Sequence, residues 1–554
     1  MDKYQFSISN LYNILKKYQL PIILLIIVSI KQLLWTGIVP IWHFPDEQAH
    51  FAQVINVANF GILGGFNGNR AATSDQIAMS EIILDTFRDN KGQNKYTFHP
   101  EYNLTYTDSM QGLWEDVINQ LSSFYSHEMD LNEATVYPFL YYFLASIFYK
   151  LFGSNLLING VFATRLLGIL ISTVNVLVVW KLAKKIFTNK IYQLSFFIMV
   201  MFQPMFSFVG AGISSDILFN LIFTIFLYVC ILLLEKITIK KILALATVLL
   251  LGSITKQQML IAYIITFGLC IIKIKDIHQI LLRYKKQSLI FGSILIISII
   301  LVVILGEFYR ILGFITAGKY QGGFNNLSFI EHIKWSLSHT YREVLPWYWG
   351  IFKWLGVTLP RWAHRTMMSI IVLAVLGNVR FGFVIVKKWL THKKIVLTNQ
   401  KIIFLHFASL TYFVSLMMWD YYFRRAYGFS FGLQGRYYFP VITTHMIFIV
   451  FGWEYLFDFV KNKLKLTIKL TEMMITLLGI WWLILQFIGL FVVAKSYYDL
   501  NSIDNFIIEV SQYKPAIFKG DWWLVWLGLY LLSQIIILII LLKSLIYEKL
   551  SAKN

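Results

Sequence analysis

The stretch Pro45-Asp46-Glu47-Gln48-Ala49-His50-Phe51 sets two adjacent carboxylates and an imidazole close together in a chain that is otherwise mostly apolar. A carboxylate can take a proton from a hydroxyl group, and a histidine four residues after Asp46 shares its helical face and can orient the same group. Asp46, Glu47 and His50 are therefore the candidate catalytic residues. The same residues also have a structural use. Pro45 suits the first turn of a helix, and acids at 46 and 47 stabilise a helix start through its dipole. His43, Asp46 and His50 are of types that bind divalent cations, without a further clear ligand, so a metal stays open as a cofactor and its site unassigned.

The elements that must position these residues are membrane spans. The 554 residues are 57% hydrophobic and 14% charged, the composition of an all-α polytopic membrane protein and not of a soluble multidomain one. The formal charge of +20 is largely lysine and arginine at every second inter-span turn, as the positive-inside rule requires, so it does not imply nucleic acid. Cys230 and Cys270, the only cysteines, lie in apolar runs and can build neither a disulfide framework nor a zinc site. There is no P-loop, G-x-G-x-x-G motif or internal repeat, which removes nucleotide-driven chemistry.

Apolar runs predict about 12 spans, at 22–39, 162–180, 194–208, 217–234, 239–254, 259–274, 289–305, 367–386, 402–419, 437–457, 473–493 and 522–542. The run 137–151 is too short to cross and reads as a juxtamembrane helix. Counting it as a span would move the lysine clusters to the outside. The resulting organisation is an N-terminus and first span (1–39), a large first extracytoplasmic loop with juxtamembrane helices (40–160), spans 2–7 (161–305), a second extracytoplasmic segment (306–365) and spans 8–12 (366–554). Both termini are expected in the cytoplasm.

On this topology Asp46, Glu47, Arg165, Asp216, Lys256, Arg310 and Arg436 all fall at the outer level. Charged residues at membrane depth are costly and mark sites or pathways. Each has a plain alternative: Asp216 and Asn220 as a helix start, Lys256 and Arg436 as interfacial anchors. The second outer segment is rich in aromatics, among them Trp347, Tyr348, Trp349, Trp354 and Trp362. This is an interfacial belt that, with Arg342, Lys353 and Arg361 interleaved, could also wall a sugar or phosphate site.

The motif at 45–51 resembles the P-D-E-x-A-H-F hallmark of a bacterial domain-of-unknown-function family of polytopic proteins related to GT-C glycosyltransferases. The resemblance continues at Tyr137-Pro138-Phe139-Leu140-Tyr141-Tyr142, at Ser215-Asp216 with Asn220, at Thr255-Lys256, at Gly350-Ile351-Phe352-Lys353-Trp354-Leu355-Gly356 with Pro360, and at Gln434-Gly435-Arg436-Tyr437. It thus runs from residue 45 to about 440. Tyr137 stands where the family often has histidine, and Gln257 where it has proline. The resemblance implies a GT-C-like fold with an acidic residue in the first outer loop, and transfer of a sugar from a polyprenyl-phosphate-linked donor to a cell-envelope acceptor. In that role Asp46 is the base, supported by Glu47 or His50. Substrate contacts fall to Arg165, Asp216, Asn220, Lys256, Arg310, Arg342, Trp354, Gln434, Arg436 and Tyr437, with Arg436 and Lys256 foremost on the departing phosphate. The alternative is a transporter, polymerase or ligase of lipid-linked glycans. The large loop directly after the first span, and the lack of matching inverted halves, favour transfer.

Overall fold

A computed structural model describes residues 8–64, 77, 80, 133–153, 156–274, 276, 293, 296–297, 328–352, 356–392, 395–466 and 469–551. Arg310, Lys353, Trp354, most of the expected span 289–305 and the middle of the first loop lie outside these residues. The regular secondary structure of the described residues is helical except for a two-stranded antiparallel hairpin, β1 (Ile351–Phe352) and β2 (Val357–Thr358).

Among the described residues eight helices are long and apolar enough to cross a membrane. They contain α1 (Ile8–Ile38), α4 (Leu157–Ile186), α7 (Ser215–Glu235), α12 (Arg361–His392), α13 (Leu397–Tyr427), α14 (Ile442–Lys463, continuing a 3₁₀ turn at Gly435–Val441), α15 (Leu470–Tyr497) and α17 (Trp522–Ser551). All eight coincide with expected spans. Three further expected spans, at 194–208, 239–254 and 259–274, are occupied by shorter helices. These are α5 (Lys190–Met201) with α6 (Pro204–Val209), α8 (Ile239–Ser253) and α9 (Leu260–Ile272); the shorter helices α10 (Phe329–His339), α11 (Leu345–Gly350) and α16 (Ile503–Val510) lie between the long ones. The run expected to be juxtamembrane is α3 (Leu140–Phe152), 13 residues or about 20 Å long, short of a hydrocarbon core of about 30 Å.

Burial separates a centre from a periphery. In α7 83% of the most apolar stretch is buried, in α17 only 22%, so α7 is a core helix and α17 presents most of its surface outward. Without a hydrophobic force between helices in lipid, close backbone approach has to hold such a bundle together. α12 and α14 show it: a Cβ on Gly377 would overlap the Gly452 carbonyl, and Asn378 donates to the Phe448 carbonyl at 2.8 Å.

The α5–α6 rod is broken at Gln203-Pro204, where proline cannot continue the backbone ladder. Lys31 of α1, fully buried, donates to the Met201 carbonyl left open there and to Ser207 Oγ at 2.8 Å. A charge at membrane depth is thereby absorbed by the helix break. At one end of the bundle Glu235 joins Lys185 and Lys401, tying α7 to α4 and α13. The opposite end carries residues 40–46 and the site.

Candidate functional site

Residues 39–46 connect α1 to α2 (Glu47–Gly64) through an irregular backbone: Trp42 and Asp46 both have positive φ, 66° and 58°. Aspartate tolerates this region; for tryptophan it is strained and has to be imposed by the surroundings. Arg165, two turns into α4, imposes it. Its guanidinium donates to Glu47 Oε1 (2.8 Å) and Oε2 (2.6 Å) and to the carbonyls of Thr36 (3.1 Å), Val39 (2.9 Å) and Pro40 (2.9 Å). All the N–H donors of an arginine are thus used. Glu47 Oε2 also accepts the Trp42 N–H at 3.0 Å. Phe44 and Phe162 cover the guanidinium at 4.7 and 4.9 Å, and neither Glu47 nor Arg165 has any exposed side-chain surface. The C-terminal part of the chain adds two ties to the same loop, Tyr498 Oη to the Ile38 carbonyl at 2.6 Å and Lys514 Nζ to the Val39 carbonyl at 3.2 Å.

Held this way, Asp46 points the other way from its neighbour. Its Oδ2 accepts from Arg436 at 2.6 Å, across 390 positions of sequence, on the wall of a cavity of about 600 Å³. The 3₁₀ turn at Gly435–Val441 delivers Arg436, and the glycine before it is needed because a Cβ there would run into the Tyr348 backbone. Lys256 enters from the turn between α8 and α9 and pairs with Asp216, the second residue of α7. Ser214 caps that helix start, and its own N–H donates to Tyr141 Oη at 2.9 Å, so the Asp216 carboxylate is left to face the lysine. Burial, with the Arg436 charge acting in the same sense, lowers the Lys256 ammonium from the usual lysine range, and Asp46 opposes the shift. His50 Nδ1 is bonded to Tyr142 Oη at 2.8 Å, and its ring stacks on Tyr137, 5.7 Å between centroids. Lys256 Nζ lies 5.1 Å over the same Tyr137 ring.

Of the residues expected to act, the cavity wall brings together Asp46, His50, Lys256, Gln434, Arg436 and Tyr437, with Asp216 behind Lys256 and Asn220 buried one turn further along α7. Glu47 and Arg165 stand behind the wall as a closed pair. Arg342 is exposed in the π-turn at Thr340–Val344 and does not line the cavity. Among the described residues no group of three or more His, Cys, Asp or Glu side chains could hold a metal ion. The His43 ring packs edge-on against Tyr497 at 5.0 Å instead of converging with Asp46 and His50.

Several site residues escaped the sequence reading. Trp419, Phe423 and Tyr427 form an aromatic stripe along α13 that, with Phe431, makes the apolar side of the cavity. Their four-residue spacing was a usable signal. Of the aromatics at 347–349, Trp349 meets Trp482 and Tyr348 lies against Phe439, and these two line a second cavity, of about 480 Å³, that does not include Asp46.

A family model described as predicted membrane protein (DUF2142) matches residues 30–444, most of the chain and all of the cavity-lining residues named above. Neither a curated protein nor a solved structure matches the sequence.

Proposed function

Taking as premise that the chain belongs to the DUF2142 family of predicted membrane proteins, we propose that it is a membrane glycosyltransferase of GT-C type. It moves a sugar from a polyprenyl-phosphate-linked donor to a cell-envelope acceptor on the outer face of the membrane. One observation carries this reading. A carboxylate and two cations from distant parts of the sequence meet in one cavity that an aromatic stripe also lines, at the end of the bundle away from the lysine-rich turns. That is the equipment of a displacement reaction at a sugar carbon bearing a phosphate. The positive-inside rule puts this end outside, where nucleotide sugars are not available and a lipid-borne donor arrives at the depth of Asp46.

In the proposed reaction Asp46 takes the proton of the acceptor hydroxyl as its oxygen attacks the anomeric carbon. The bond from that carbon to the phosphate oxygen breaks, and its electron pair leaves with the polyprenyl phosphate, inverting the sugar. Arg436 and Lys256 stabilise the departing charge through charge-assisted hydrogen bonds. His50, fixed by Tyr142 and stacked on Tyr137, orients the acceptor, and the face of Trp419 receives the sugar ring. Glu47 and Arg165 act through the backbone that carries Asp46.

Comparing cell-envelope glycans by mass spectrometry with active protein and with Asp46→Asn tests the proposal. Loss of a single sugar supports transfer. Accumulated lipid-linked oligosaccharide points to polymerisation or export instead. The broken α5–α6 rod beside Lys31 is the feature that favours transport, since interrupted helices line many transport pathways. In this chain, however, the break is bonded internally and lies away from the cavity. Substrate movement in sealed vesicles without a covalent product would decide for transport.

A further inference from the structure

The proposed transfer leaves open how the base is kept inactive before the donor arrives, and the following rests on that transfer reading. The charges at the cavity are balanced two against two. Asp46 faces Arg436, Asp216 faces Lys256, and among the described residues these are the lysine and arginine side chains on the wall. A phosphate group brings further negative charge, so it can gain charge-assisted bonds only by sharing or displacing one of the carboxylates.

The two carboxylates are not equally displaceable. Asp216 has 10% of its side chain exposed and stands on a capped helix start. Asp46 has 29% exposed, faces the cavity, and sits on a residue of left-handed backbone at the N-terminus of α2. That helix end offers a displaced anion compensating positive potential. Arg436 is the fixed partner: its side chain is 5% exposed and packed in the 3₁₀ turn. Its Nε, buried, has no hydrogen-bond acceptor. The guanidinium thus holds donor capacity that Asp46 does not use.

We infer that the donor phosphate displaces Asp46 from Arg436, and that this exchange turns the carboxylate from a guanidinium partner into the base of the reaction. A carboxylate committed to an arginine is a poor proton acceptor. Removing that cation and placing a phosphate beside it raises its proton affinity. No covalent bond changes in the exchange itself: a phosphate oxygen takes the N–H that Asp46 Oδ2 held. Transfer then follows, the acceptor proton passes through Asp46 to solvent, and the Arg436–Asp46 pair re-forms as the lipid phosphate departs. Acceptor activation is in this way conditional on a bound donor.

The test uses the full chain in lipid nanodiscs, with farnesyl phosphate, a short polyprenyl monophosphate, as probe. Wild type binds it. Asp46→Asn, which lacks the competing charge, binds it about 3- to 10-fold more tightly, the scale of one net hydrogen bond, while transfer is lost. Arg436→Gln binds it more weakly. If wild type binds and Asp46→Asn binds equally or less tightly, the exchange is overturned and the transfer reading stands. If wild type does not bind, both fall. Infrared difference spectra of wild type labelled with carbon-13 aspartate give an answer independent of any variant. A carboxylate band that shifts on adding farnesyl phosphate supports the exchange, and an unchanged band overturns it.

Discussion

Asp46 and Glu47 are neighbours in sequence, each is bonded to an arginine, and the two pairs are built for opposite ends. The Glu47–Arg165 pair is closed. Neither side chain has exposed surface, and the guanidinium spends its donors on two carboxylate oxygens and three backbone carbonyls. The Asp46–Arg436 pair is open: the carboxylate is 29% exposed on a cavity wall, and the guanidinium keeps an unused buried N–H. The difference teaches that an ion pair is structural when every donor is consumed within the fold, and available for chemistry when some are left. With left-handed backbone at Asp46, the adjacent carboxylates take different partners, Asp46 on the cavity wall and Glu47 behind it.

Breaking the closed pair should produce the largest effect. Arg165→Met leaves Glu47 buried without its cation and releases three carbonyls, and should destabilise the protein by about 3–5 kcal/mol, read as a lower thermal unfolding temperature. Adding Glu47→Gln to that variant should recover part of the loss, because an uncompensated charge costs more than a neutral pair. If Arg165→Met unfolds like wild type, the closed pair is not what holds the loop.

Breaking the open pair should instead leave folding intact and remove activity. Asp46→Asn, whose amide oxygen can still accept from Arg436, is expected to lower the rate of sugar transfer by about 10² to 10⁴-fold with a much smaller fall in unfolding temperature than Arg165→Met. A variant that loses stability as Arg165→Met does would erase the contrast between the two pairs.

The second cation sharpens the picture through pH. Burial lowers the Lys256 ammonium from its ordinary value, so the charge is present at low pH and lost as pH rises through that lowered midpoint. Farnesyl phosphate affinity should then fall on the alkaline side, up to about tenfold per unit beyond the midpoint if the ammonium is indispensable. Lys256→Arg, which stays charged, should flatten that limb. A wild-type profile flat to pH 10 would remove Lys256 from anion binding.

The smallest effect is expected on the apolar wall. Trp419→Ala removes one aromatic face and should raise the KM for the donor about 2- to 10-fold with little change in kcat. An equal loss in kcat would put Trp419 nearer the reacting atoms than the cavity wall suggests.

Much of the architecture was legible in the sequence, because span length is set by bilayer thickness and is written as uninterrupted apolar runs. Among the described residues, eight of those runs are long helices. The shorter members of the set depend on breaks such as Gln203-Pro204, visible as a proline but not as a helix interruption stabilised by Lys31. In the site, Asp46, Lys256 and Arg436 could be chosen from the cost of a charge at membrane depth, His50 from its spacing after Asp46, and Gln434 and Tyr437 from the motif resemblance. Arg165 looked the same by that criterion and serves a different end, since sequence reports that a charge is near the membrane but not what consumes its hydrogen bonds.

The sequence by itself determined an all-helical membrane protein of this family, with acids and cations clustered beyond the spans at one end. Those follow from local properties: hydropathy, charge and a short motif. Only the tertiary structure decided that Asp46 meets Arg436 and Glu47 meets Arg165. That choice rests on a left-handed backbone residue and on packing between segments separated by 118 and 390 positions, which no local pattern records.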